Sequence, residues 1–140
     1  MEIIYQDGTT KTGEDVYESS ELKLARASYA DNVDEVLYLL SKYPTTDVNA
    51  IVEHSPNRGN GTPLILTGSK KIAEALIQKG ADINLIYNNG RENITALDSA
   101  LKELEKERVK ENEIIKQKIE ELIDFLKSKG AKPYNDLMAR

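Results

Sequence analysis

Residues 76–84 read LIQKGADIN, and this stretch decides the fold. An apolar pair at helical spacing runs into Lys-Gly, then Ala-Asp, then an aliphatic residue and Asn. Glycine ends helices because it takes the left-handed conformation without a side-chain penalty, so Gly80 reads as a helix stop. Related punctuation recurs. KSKGAKP at 127–133 places Gly130 after DFLKSK, and TTDVNA at 45–50 repeats the Asp-aliphatic-Asn ending. A recurring stop implies a recurring structural unit, and a search for function then starts at a binding surface.

Helix starts recur as well. Thr62 and Thr95 lie 33 residues apart, and Leu64 and Leu97 keep that interval. Thr62 can cap free backbone amides, while Pro63 suits the first helical position. Thr95-Ala96 starts another helix, with Asp98 placed three residues on, as in a capping box. Each unit is therefore predicted to hold a capped first helix, a second helix, a glycine stop and an irregular Asp/Asn-rich segment.

The bulk numbers fit such a chain. Its 140 residues make one domain the default, and 39% hydrophobic with 31% charged residues suits a soluble helical protein. The formal charge of -5 argues against a phosphate-backbone binder, which needs clustered positive charge. The absence of cysteine excludes disulfides, zinc fingers and thiol catalysis. No apolar run approaches the ~20 residues that span a bilayer, and MEIIYQDG at the N-terminus lacks a signal-peptide pattern. The sequons at Asn60 and Asn93 then have no secretory context. The expected location is cytoplasmic, with no membrane and no nucleic acid among the partners.

GTPLILT followed by IAEALIQKGADIN resembles an ankyrin repeat, whose period is 33 residues and whose signature is T-P-L-H-x-A. Upstream, LKLARASYADNVDEVLYLL resembles the first, capping repeat of bacterial ankyrin proteins. The resemblance implies small helix-packing residues at Ala27 and Ser28, an inter-helix turn at Asp31-Asn32 and a leucine pair at Leu39-Leu40. Downstream, ITALDSAL and IEELIDFLKSKGAK look like a third unit. The implied fold is all-α: an ankyrin-repeat solenoid of stacked helix-turn-helix units with short hairpin-like loops. Its expected divisions are an N-terminal cap at 1–19, repeats at 20–50, 51–84 and 85–133, and a tail at 134–140.

Departures from the pattern carry information. The family's histidine is Ile65 in the second repeat and Asp98 in the third, so its usual hydrogen-bond role is absent. Tyr43-Pro44-Thr45-Thr46 replaces a glycine stop and implies a longer loop. Thr62 to Gly80 spans 18 residues but Thr95 to Gly130 spans 35, so against the family's usual interval the second repeat is a little short and the third is elongated by about four helical turns. Within it, Leu97, Leu101 and Leu104 make one apolar face, and Ile115, Ile119, Leu122 and Leu126 make another. The polar stretch 105–113 between them predicts two helices of similar length. They would pack antiparallel around a turn near Asn112 and protrude from the stack. A continuous charged helix is the alternative. Asp7-Gly8 marks a hairpin turn, the chain is expected to turn helical from Glu14 to cover the open end, and Leu137 and Met138 could cover the other end.

Chemistry is sparse. His54 is the sole histidine. It sits beside Ser55, but adjacent side chains on an extended loop point apart and nothing fixes an orienting carboxylate. RGNGT lacks the lysine of a phosphate loop, and no metal-binding or calcium-loop pattern occurs. The expectation is no enzyme, no cofactor and no metal.

Ankyrin-like stacks bind partners on the finger loops and first-helix faces that line a concave groove. Carried over position by position, the first finger is 51–60 and the second 85–93. Their candidate partner-binding residues are Val52, Glu53, His54 and Arg58, then Tyr87, Asn88, Arg91 and Glu92. Tyr29 and Lys102 take groove positions on first helices, with a core role as the competing reading for Tyr29. Tyr87 and Arg91 are the expected anchors, since Tyr and Arg are enriched at binding hot spots. The function implied is a module that binds one protein and modulates or inhibits it. An immunity protein neutralising a basic toxin or enzyme is the leading form, monomeric outside its complex. The alternatives are a scaffold or effector with several partners and, last, an enzyme without a recognisable motif.

Overall fold

The computed structural model describes residues 19–53 and 60–139. They form, in order, α1 (Ser20–Tyr29), α2 (Val33–Lys42), α3 (Pro63–Leu66), α4 (Lys70–Gln78), β1 (Tyr87–Asn88), β2 (Asn93–Ile94), α5 (Ala96–Leu104), α6 (Glu107–Lys110), α7 (Glu113–Ser128) and α8 (Tyr134–Met138). The described chain is mostly helical. The turn expected at Asp7-Gly8, the helix expected from Glu14, and His54, Ser55 and Arg58 lie outside the described residues.

Local chemistry starts these helices. Ser19, Asn32, Thr62 and Ser69 each accept the backbone N–H three residues ahead, at 3.1 to 3.3 Å. Thr95 and Asp98 close the capping box in both directions. Asn112 caps α7 by accepting from Ile114 and Ile115. Stops are equally local: Gly80 and Gly130 adopt φ of 98° and 92°, the left-handed conformation expected of them.

Packing produces two layers. α1, α3 and α5 lie side by side in one, and α2, α4 and α7 in the other, each first-layer helix packing on its second-layer mate. Leu24, Val36, Ile72, Leu76, Leu97, Leu122 and Leu126 run through the shared core, all between 0 and 2% exposed. Burying each such side chain contributes about 1.5–3 kcal/mol.

Asparagines tie successive pairs together. Asn49 donates to Gly80 O at 3.1 Å and accepts from Asp82 N at 2.7 Å. Asn84 repeats this on Gly130 O and Lys132 N, at 3.2 and 2.9 Å. The Asp-aliphatic-Asn ending recurs because each Asn side chain satisfies backbone groups at the next helix stop. Aspartates brace it from within: Asp47 accepts Asn49 N–H, and Asp82 accepts Asn84 N–H.

One expectation gains its cause and another is corrected. The second pair is short because its first helix is a single turn, Pro63–Leu66, the chain becoming extended at Thr67. Stopping early frees the Ile65 carbonyl, and Ser99 Oγ donates to it at 2.9 Å. The elongated third pair, in turn, is not two helices of similar length standing off the stack. Val109 is fully buried, and its burial folds the polar stretch into α6 against α7. The 16-residue α7 then runs back along both α5 and α4. Ile119 of α7 approaches so closely that a Cβ on Gly68 would lie 3.2 Å from its Cδ1. The tail is anchored rather than buried: Tyr134 N donates to Asp98 at 2.8 Å, Leu137 is half-buried and Met138 exposed.

Candidate partner-binding face

Loops at one edge of the layers carry most of the expected site residues. The second loop is a two-stranded antiparallel hairpin pairing Tyr87 with Ile94 and Asn88 with Asn93. Its tip, Asn89-Gly90-Arg91-Glu92, is built by asparagines. Asn88 Oδ1 accepts Gly90 N–H at 2.8 Å, and Asn89 Oδ1 accepts Arg91 N–H at 2.9 Å and Glu92 N–H at 3.0 Å. Asn88 Nδ2 also donates across the strands to Asn93 Oδ1 at 3.1 Å. Short amide side chains substitute for backbone partners in such turns, which explains the composition NNGREN. Arg91 and Glu92 are consequently exposed on a fixed tip. Glu92 is ion-paired with Lys102 of α5, joining two expected site residues.

The first loop is pinned at its base, where Val52 and Gly61 exchange both backbone hydrogen bonds at 2.9 Å. Glu53 leaves this base and accepts the Tyr87 hydroxyl at 3.1 Å. That bond fixes one loop against the next. It also corrects the expected role of Tyr87. The side chain is 5% exposed and belongs to the core, so it is a brace between loops, not an exposed anchor. Burial first, then the hydrogen bond to Glu53 and the carboxylate's charge, raises the phenol above its ordinary value of 10.0.

Tyr29 is exposed, which removes the core reading, yet it stands away from these loops. The N-terminal end of α1 lies at the loop edge, where Ser20 and Glu21 accept from Thr46 Oγ1 and Asp47 N. Tyr29 is nine residues further along, about 13 Å at helical rise. There it lines a cleft of about 410 Å³ with Asp31, Glu103, Arg108 and Lys118. The structure therefore gathers Val52, Glu53, Tyr87, Asn88, Arg91, Glu92 and Lys102, and separates Tyr29 from them.

Two residues were missed. Ile51 and Ile86 occupy the same offset, two residues after Asn49 and Asn84, and are 50% and 37% exposed. Their neighbours Val52 and Tyr87 turn inward, as alternation along an extended chain requires. The signal was available by aligning VNAIV with INLIY, where an isoleucine repeats at a position that need not be apolar.

Among the described residues, no group of His, Asp and Glu is placed to hold a metal ion, and no helix is long and apolar enough to cross a membrane. No family model matches the chain, and no curated protein matches its sequence.

Proposed function

We propose that this chain is an ankyrin-like protein-binding module that engages one partner protein through its loop edge and modulates or inhibits it. The carrying observation is the pair Ile51 and Ile86. Two bulky apolar side chains lie exposed at equivalent positions of successive loops, and Asn49 and the Tyr87–Glu53 bond hold those loops in register. Loop bases held by such bonds lose little conformational freedom on binding, so more of the contact energy appears as affinity. Arg91, Glu92 and Lys102 add exposed charges to the same loop edge, and interfaces commonly combine apolar and charged groups. The recurring Asn ties at Gly80 and Gly130, with α5, α6 and α7 between, support the ankyrin-like reading of the stack.

The specific form is an immunity-like protein acting in the cytoplasm on a basic toxin or enzyme. The net charge of -5 supports it, since an acidic body speeds encounter with a basic partner. The test places a photo-crosslinking residue at Ile51, at Ile86 or at Ile114, which is 82% exposed on α7. The tagged proteins are then incubated in lysate of their own source. One stoichiometric basic partner captured from positions 51 and 86, and not from 114, is the expected result. Capture from 114 alone refutes the loop face. Several weak partners replace the inhibitor with a scaffold.

A further inference from the structure

The chain contains two Asn-Gly steps, Asn60-Gly61 and Asn89-Gly90, and they lie in opposite environments. An Asn followed by Gly is the sequence most open to self-modification. The glycine amide nitrogen attacks the Asn side-chain carbonyl carbon, a C–N bond forms, and the side-chain nitrogen leaves as ammonia. Water then opens the cyclic imide at either carbonyl, leaving aspartate or isoaspartate. No oxidant or cofactor enters; water alone is consumed.

We propose that Asn89 is a built self-deamidation site and that Asn60 is protected by the fold. At the tip, the side chain under attack has hydrogen-bond partners suited to the step. Asn89 Oδ1 accepts two backbone N–H groups, from Arg91 and Glu92, so the negative charge that develops on this oxygen during attack already faces two donors. The attacking nitrogen's N–H is held only by the side chain of exposed Asn88, at 2.8 Å, a bond water can replace, so its proton can pass to solvent base. Gly90 is exposed, adopts φ of 92°, and no atom lies within 4 Å of the place a Cβ would fill. Water and the nitrogen therefore meet no steric barrier.

Gly61 is the reverse case. It is buried, and its N–H is committed to Val52 O at 2.9 Å while its carbonyl accepts Val52 N–H in return. Ile65 and Tyr87 lie 3.3 to 3.7 Å from its Cβ direction. Attack there requires the base of the first loop to open.

Reaction at Asn89 places a new carboxylate beside Glu92 and Arg91, taking the formal charge from -5 to -6. The isoaspartate product also inserts a methylene into the backbone of the tip. The loop edge would thus carry a slow, irreversible change of charge and shape that depends on the age of the molecule.

The experiment incubates the full chain at neutral pH, folded and in concentrated urea, and follows tryptic peptides 59–70 and 80–91 by mass and by isoaspartate methylation. In urea both sites react at similar rates. In the folded chain Asn89 reacts at least as fast as in urea, while Asn60 slows by about tenfold or more, because reaction waits for local opening. Asn88→Ala frees the Gly90 N–H and leaves Asn89 reacting at least as fast. Asn93→Ala, which removes only the cross-strand bond of Asn88, leaves the rate unchanged. Slower reaction of Asn89 in the folded chain than in urea overturns the proposal. So does equal reaction of Asn60 and Asn89 when folded.

Discussion

Asp31 offers the sharpest test of how this structure is held. It follows α1 with φ of 55°, a conformation where glycine is the usual residue. Its carboxylate explains the exception. Oδ1 accepts from Thr67 Oγ1 and Gly68 N, both at 2.8 Å, and Oδ2 accepts from Lys118 Nζ at 2.9 Å. Replacement by alanine loses two partly buried hydrogen bonds, about 1 kcal/mol each. It also loses a half-exposed ion pair, about 0.5 kcal/mol after solvent screening. Left-handed backbone on a residue that cannot bond locally adds about 1 kcal/mol. Asp31→Ala should therefore cost roughly 3–4 kcal/mol. Asp31→Gly relieves the backbone but loses every bond, and should cost roughly 2–3 kcal/mol. Asp31→Asn keeps the acceptor for Thr67 and Gly68 and tolerates the backbone, so it should cost about 0.5–1 kcal/mol. Urea denaturation followed by circular dichroism reads all three, with an unchanged m-value licensing the comparison. If Asn costs as much as Ala, the hydrogen bonds are not what Asp31 contributes and the reasoning fails.

Other outcomes follow from single side chains. Val109→Ala in α6 should cost about 2 kcal/mol, whereas Ile114→Ala, five residues away but 82% exposed, should change stability by less than about 0.5 kcal/mol; equal effects would mean that α6 does not pack. Ser28 Oγ is buried with no partner among the described residues, so Ser28→Ala should stabilise the chain by about 1 kcal/mol in the same denaturation assay. The phenol of Tyr87 is raised, so its contribution is fully present below its unfolded value of 10.0 and is lost as pH rises through the folded value. Tyr87→Phe should flatten that alkaline loss of stability while leaving thermal unfolding near neutral pH within about 1 kcal/mol of the wild type.

Much of this was legible because it is local. A cap needs only one side chain and its own backbone three residues on, so Thr62, Thr95 and Asp98 announced their helices directly. Gly80 and Gly130 did the same for the stops. Val109 was hidden because EKERVKENE presents one valine among charges, and only α7 folding alongside makes a site for it. Tyr87 was misjudged for a related reason. A tyrosine in a polar loop reads as exposed until the neighbouring loop supplies Glu53 and the core supplies a place for the ring. The reach of α7 to Asp31 joins residues 87 positions apart, and periodicity carries no information at that range. Ile51 and Ile86 were legible in principle, but their meaning needed the loops to be placed side by side.

The single carboxylate of Asp31 has a thermodynamic consequence for the stack as a whole. In a row of helix pairs that meet only their neighbours, either end can melt while the rest survives. Here one side chain of the first pair bonds the second through Thr67 and Gly68 and the third through Lys118. Loosening any of the three withdraws a partner from the same two oxygen atoms. End fraying thereby becomes a shared loss, and the small domain is biased toward opening in one cooperative step.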